Sequence, residues 1–413
     1  MCIRDSGDDV LSGGEGDDVA VFLGDVSDYT NDLTTMTVTD TSSAGGNEGV
    51  DTLFDIETLR FGDGAELMVA VTETGEFQVN TYVNGDQLYP EVAGYGRSNF
   101  VVTWYDEDRG SGDIYAQNFN IIGDPLGSEY RVNTTTYNTQ AEPSVTPLEA
   151  GSYVITWHSR YQDTGSSDYG GYGQHYSATG EPQGNEFLIN TTISGQQYYP
   201  SIASLDDGGF VVTWRDDKGS DHDGGDGIDV FGQRFDASGS PVGDDFLVNA
   251  DADSGSQYEP SMADLGNGKF IVTWRDDQGG SHDKNENDST TGSGADIRAQ
   301  IFTTTATDEN GDVIPTPQVS GGDFRVNEGT YHYQYQPSVA SFDDGSFVVS
   351  YSSYYGDSGH SYAIMAQRFD ASGTPIGNQI DVDTDYTGNN QYYSSTVSYT
   401  HLRAHETLRY LVC

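Results

Sequence analysis

The chain has 413 residues, with 17 Lys+Arg against 66 Asp+Glu, a formal charge of 17 − 66 = −49. A field of that sign repels phosphate polymers and excludes nucleic acid as a partner; no run of about 18 apolar residues exists to form a membrane span; two cysteines cannot staple a disulfide scaffold. With 34% apolar and 12% aromatic residues the chain can still bury a core, which leaves an acidic, glycine- and tyrosine-rich protein suited to surroundings rich in divalent cations.

In chain order, residues 1–6 (MCIRDS) come first and differ in character from the glycine- and aspartate-rich segment after them. They are read as translated sequencing-adapter sequence. Residues 13–21 then fit the nonapeptide G-G-x-G-x-D-x-U-x of a parallel β-roll. Gly13, Gly14 and Gly16 permit a tight turn with exposed carbonyls, Asp18 offers a hard carboxylate oxygen, and Ala20 takes the inward position. Residues 7–12 fill positions four to nine of an earlier repeat in the same register, which places Gly7 and Asp9 like Gly16 and Asp18. This region resembles the RTX (hemolysin-type) calcium-binding family. The likeness continues through Ala20–Gly24, Tyr29 and Val50–Gly64, which look like strands that close such a roll, and covers residues 7–67. It implies a truncated β-roll, Ca²⁺ held between stacked turns, and an exported bacterial protein that is secreted or on the cell surface. By carry-over, Gly7, Asp9, Gly13, Gly14, Gly16 and Asp18 occupy ligand or turn positions. Fewer than two nonapeptides remain, and a solvated turn without an ion is the alternative.

The body, residues 68–397, is an internal repeat. Five copies (about 77–133, 134–190, 191–249, 250–327 and 328–383) each carry an apolar strand ending in a bulky ring: Trp104, Trp157, Trp214, Trp274 and Tyr351. A Gln-x-x-Pro precedes each, beginning at Gln87, Gln140, Gln197, Gln257 and Gln334. Each copy also has one later-strand glutamine (Gln117, Gln174, Gln233, Gln300, Gln367). An asparagine ends the strand ahead of each Gln-x-x-Pro (Asn80, Asn133, Asn190, Asn249, Asn327). In the third copy the expected strands are Ser201–Leu205, Phe210–Trp214, Ile228–Phe235 and Phe246–Asn249. Asp206–Gly209 and Asp236–Gly239 are the turns. Phe210–Trp214 is apolar on both faces, so it needs a neighbour on each side. Four strands in 40–60 residues with both faces covered predict an all-β chain of β-propeller-like blades; a string of small β-sandwiches is the other reading. The repeats resemble the acidic blade-like repeats of large secreted marine bacterial surface proteins, a likeness that assigns no catalytic residue.

Acid collects between the second and third strands of each copy. In the third, Asp221-x-Asp223-x-x-Asp226-Gly227-x-Asp229 alternates carboxylates with glycine, so side-chain oxygens can converge on one Ca²⁺, which takes six to eight. It looks similar to calcium loops on integrin-type propeller blades, with a one-residue difference in spacing; an acidic solvated loop is the alternative. The repeated glutamines are read as satisfying strand backbone between blades, and the Trp/Tyr rings as inter-blade core. No Gly-x-Ser-x-Gly elbow, His-Glu-x-x-His or phosphate loop occurs.

Gln391-Tyr392-Tyr393 starts a sixth, partial copy (384–397). Residues 398–413 (SYTHLRAHETLRYLVC) again read as adapter sequence, or else as an amphipathic helix. Together these features predict a non-catalytic piece of a large secreted calcium-binding repeat protein, an adhesin or cell-surface component, in which Ca²⁺ relieves carboxylate repulsion in the folded state. Its expected partners are calcium ions and cell-surface glycans or proteins. The alternatives are a glycan-binding module using Tyr198, Tyr199, Tyr392 and Tyr393, and a propeller enzyme acting on polysaccharide. An enzyme would need acids at the mouth of the ring that break the repeat, and none stands out from the sequence.

Overall fold

A computed structural model describes short segments between residues 10 and 68, most of 77–382, and 394–396. Outside the description lie 1–9, 13–18, 42–49, 69–76, 163–168, 218–226, 250–254, 278–294, 306–313, 355–361, 383–393, 397–413 and several shorter gaps. The described residues fall into two compact units, divided between residues 78 and 79. No helix among them is long and apolar enough to cross a membrane.

In the first unit, strands Val10–Ser12 and Val19–Val21 start nine residues apart and lie in different sheets. Each pairs in parallel with a later strand, Val10–Ser12 with Val50–Phe54 and Val19–Val21 with Thr58–Arg60. Two short strands nine residues apart thus each lie alongside a strand from the later segment. Ala20 and Leu59 face each other in register and are fully buried. Phe22, Tyr29 and Phe61 pack ring against ring with centroids 5.2–5.6 Å apart.

The second unit consists of five antiparallel meander sheets, the blades of a β-propeller. Their innermost strands are Gln87–Tyr95, Gln140–Pro147, Gln197–Ser204, Ser256–Gly266 and Gln334–Ser341. In blade 3 the remaining strands are Phe210–Asp216, Asp229–Phe235 and Pro241–Leu247. The expected strands are all present, with two shifts. The fourth begins at Pro241, because the Asp236–Gly239 turn closes a tight hairpin directly onto it. The first runs back through Gln197 and Pro200. That proline is tolerated because it sits at a bulge on the strand nearest the axis, where no further strand needs its missing N–H. In blade 4 the outer strand is split into Gln318–Val319 and Phe324–Arg325.

Blades stack through apolar faces. One cluster joins Ala93, Tyr95 and Val101 of blade 1 to Val145, Tyr153 and Trp157 of blade 2, and similar clusters join blades 2 and 3, 3 and 4, and 4 and 5. Trp104, Trp157, Trp214, Trp274 and Tyr351 are 0–3% exposed, and all but Trp104 lie in the clusters that join adjacent blades. Residues 394–396 stand on blade 5 as blade 5 stands on blade 4. Thr396 N donates to Ser338 Oγ at 2.8 Å, matching Val339 N to Ser261 Oγ at 3.3 Å.

The repeated polar residues form a buried bracket at every junction. Asn249 Oδ1 accepts from Val230 N (2.8 Å), while its amide donates to Asp229 Oδ1 (2.9 Å) and to Gln257 Oε1 of the next blade (3.0 Å). Asn133 does the same with Ile114 N, Asp113 and Gln140, and Asn327 with Ile297 N, Asp296 and Gln334. The other glutamine series works within a blade: Gln233 Nε2 donates to the carbonyls of Arg234, Val242 and Gly243, beside the register shift between the third and fourth strands.

Candidate functional site

The Gln-x-x-Pro segment bends each innermost strand the same way. The residue before proline is Tyr89, Glu142, Tyr199, Glu259 or Gln336, and all five have φ between 52° and 55°. Proline disfavours the right-handed helical region for its predecessor. The ladder slips by one residue at this point in every blade, between Leu88 and Glu91, Ala141 and Ser144, Tyr198 and Ser201, Tyr258 and Ser261, and Tyr335 and Ser338. A bulge of this kind re-aims one side chain. A left-handed conformation costs a non-glycine residue of order 1 kcal/mol or more, so five in a row mark a feature held in place by its surroundings.

The five side chains share one end of the propeller axis. Tyr199 of blade 3 feels the charges of Glu142 (blade 2), Glu259 (blade 4) and Tyr89 (blade 1), and burial with these neighbours raises its phenol well above the ordinary range. Interaction between non-adjacent blades requires the strands to turn about a common axis. Glu259 is raised chiefly by burial and further by the Glu142 charge. The hydrogen bond from Gln336 N (2.7 Å) and the charges of Arg275 and Arg215 oppose that rise. His158 Nδ1 lies 3.0 Å from Glu142 Oε2. Two positions further along blade 1, Glu91 stands where the other blades carry Ser144, Ser201, Ser261 and Ser338. Burial by the surrounding protein pushes its carboxyl up to about 7.

Around the acids runs a ladder of rings and guanidinium groups. The residue after each core ring pairs across the strand with the first x of Gln-x-x-Pro: Arg215 with Tyr198, Arg275 with Tyr258. The Arg215 guanidinium carbon is 5.3 Å from the Tyr198 ring and 4.9 Å from Tyr258; that of Arg275 is 5.1 Å from Tyr258 and 4.6 Å from Tyr335. Tyr198 also meets Tyr169 at 4.6 Å and His158 edge-on at 5.3 Å. The site thus combines carboxyl groups, cations and half-buried aromatic faces.

Of the ten metal-site candidates, Gly7, Asp9, Gly13, Gly14, Gly16, Asp18, Asp221, Asp223 and Asp226 lie outside the described residues. Asp229 is described. Its carboxylate holds the Asn249 amide, as Asp113 and Asp296 hold the equivalent asparagines, so its repeated role is the inter-blade bracket. In the first copy Asp106 accepts from the backbone N–H groups of Asp108 and Arg109, which makes that acidic stretch a turn. Among the described residues no group of three or more His, Cys, Asp or Glu is placed to hold a metal ion. Of the tyrosines proposed for glycan binding, Tyr198 and Tyr199 belong to the mouth, and Tyr392 and Tyr393 lie outside the description. Sequence reading missed Glu91, Glu142, Glu259, Arg215 and Arg275. The signal was present, since these positions vary from copy to copy inside an otherwise constant frame.

No family model matches the chain, and no curated protein matches it. Solved structures do. A protein of unknown function from Dyadobacter fermentans is similar over 76% of this chain and 87% of its own, with 12% identity and a TM-score of 0.44. A GH43 endo-arabinanase from Bacillus licheniformis matches 73% of this chain and 100% of its own, with 13% identity and a TM-score of 0.38. An α-L-arabinofuranosidase from Lactobacillus brevis matches 71% and 95%, with 11% identity and a TM-score of 0.41. These are likenesses of fold. The expectation of a chain without catalytic residues is corrected here. The repeat-breaking acids that the expectation found missing stand at the axial mouth as Glu142 and Glu259.

Proposed function

We propose that the propeller is a glycoside hydrolase that takes a polysaccharide chain at its axial mouth. One observation carries the reading: the acids that break the repeat gather at that end, and burial favours the proton-bearing form of Glu259 beside Glu142. Glycosidic cleavage needs two carboxyl groups, one to protonate the leaving oxygen and one ionised to act as base or nucleophile on the sugar. In this reading Glu259 is the acid, since burial and the negative charge of Glu142 both favour its neutral form. Glu142, facing His158, is the base or nucleophile. Half-buried tyrosines supply faces on which sugar rings stack.

The test is reducing-sugar release from a panel of neutral and acidic polysaccharides. Glu259→Gln and Glu142→Gln should each lower the rate by roughly 10²–10⁴-fold while the melting temperature holds. Equal rates in wild type and both variants would overturn the assignment.

For the first unit we infer calcium binding, supported by the nine-residue spacing of two strands that each pair in parallel with a later strand. Calorimetric melting in calcium should give a higher transition than in chelator, because an ion bound by the folded state alone stabilises it. An unchanged transition sinks this reading and leaves the hydrolase reading untouched.

A further inference from the structure

We propose that the mouth selects acidic polysaccharide, with Arg215 contacting a sugar carboxylate; the inference rests on the glycan reading of the mouth and names its substrate class. Arg215 belongs, with Arg160 and Arg368, to the arginines that have no carboxylate partner among the described residues, and its charge reaches Glu259 at the mouth. With 66 acids against 17 bases, guanidinium groups find carboxylates readily: Arg109 pairs with Glu129, Arg131 with Asp113, Arg234 with Asp207, Arg275 with Asp277 and Arg298 with Asp323. Among the described residues Arg215 has no carboxylate within 4.0 Å, and its Nε is buried without a hydrogen-bond partner. It is nevertheless held firmly, sandwiched between Tyr198 and Tyr258 at 5.3 and 4.9 Å. It also lies close enough to Tyr199 and Glu259 for its charge to act on both.

Aromatic stacking fixes the guanidinium plane and leaves its fork for a planar anion, which an ammonium group would not match. Flanking tyrosine faces suit the apolar face of a sugar ring, so a uronate residue satisfies both halves of the arrangement. The nearby acids do not defeat this. Burial holds Glu259 toward its neutral form, and charges beyond about 8 Å are screened at physiological salt. The net charge of −49 also sharpens the expectation, because it opposes non-specific binding of polyanions and leaves only a local cationic site to retain them.

The experiment is an array of uronate-bearing oligosaccharides (galacturonate, glucuronate, mannuronate and guluronate) beside their carboxyl-reduced counterparts, probed with the full chain in chelator. Wild type should retain at least one acidic series about tenfold more tightly than its reduced form. Arg215→Gln should lose that preference while its affinity for the reduced form stays put. Arg215→Lys should recover only part, since it restores charge without the stacked fork. A purely structural arginine would shift the melting temperature and leave the acidic-to-reduced ratio unchanged. That outcome overturns the proposal, as does equal binding of both forms or no retention of any uronate. Because the array reads binding without turnover, the outcomes separate. Acidic preference without cleavage removes the hydrolase reading alone. Cleavage of neutral chains with Arg215→Gln unaffected removes this inference alone.

Discussion

Gln257 and Glu259 sit two residues apart on one strand and belong to different parts of the molecule. Gln257 recurs in every blade and is buried in the bracket with Asn249. Glu259 has Tyr, Glu, Tyr and Gln as its counterparts, is aimed by a left-handed bulge, and meets charges from non-adjacent blades. The contrast separates two demands on a repeat. What every junction needs is held constant, and what the shared axis needs is met once, by a residue that departs from the pattern. Departure from the repeat therefore marks the axial mouth here in the way constancy marks the packed junctions.

Unfolding measurements can break that comparison directly. Trp274→Ala removes a fully buried inter-blade ring and should cost about 3–5 kcal/mol. Asn249→Ala leaves Val230 N, Asp229 and Gln257 short of partners in a buried place, and should cost about 1–3 kcal/mol. Tyr199→Ala, at a mouth position 37% exposed, should stay within about 0.5 kcal/mol while weakening glycan retention. If Tyr199→Ala destabilised as much as Asn249→Ala, the mouth would be part of the frame and the division would fail.

Much of the frame was legible in the sequence. The ring-ended strand, the Gln-x-x-Pro and the Val-Asn recur in register, and five blades follow from them. The partners of the bracket were not legible, since Asn249 reaches Asp229 and Gln257, 20 and 8 residues away in opposite directions. That closure requires the third strand to lie beside the next blade. The mouth was harder still. Glu142 and Glu259 are 117 positions apart and belong to non-adjacent blades, so only the turn of the strands about the axis brings their charges together. Reading Gln-x-x-Pro as a lead-in to each strand also hid that its second x is a left-handed bulge within the strand. The acid-rich loops are where acids are densest, whereas Glu259 lies on an innermost strand and is raised chiefly by the protein that surrounds it.

The smallest expected effect tests whether a raised carboxyl alone makes a site. Asp264 lies on the same innermost strand as Glu259, five residues on, and its carboxyl is pushed up to about 7, chiefly by burial and further by Asp206 and Asp207 of the neighbouring blade. A carboxyl raised in the folded state binds its proton more tightly there than in the unfolded chain. Its contribution to stability is therefore present below the ordinary value near 3.8 and is lost as pH rises through about 7. Asp264→Asn keeps an oxygen for Gly266 N, which donates to Oδ1 at 3.2 Å, and removes the buried charge. The variant should melt like wild type near pH 3 and higher at pH 8, by roughly 2 °C. Its rate on polysaccharide should stay unchanged, in contrast to Glu259→Gln. Loss of activity in Asp264→Asn would mean that perturbed acids along the strand act together, and would move the boundary between frame and mouth.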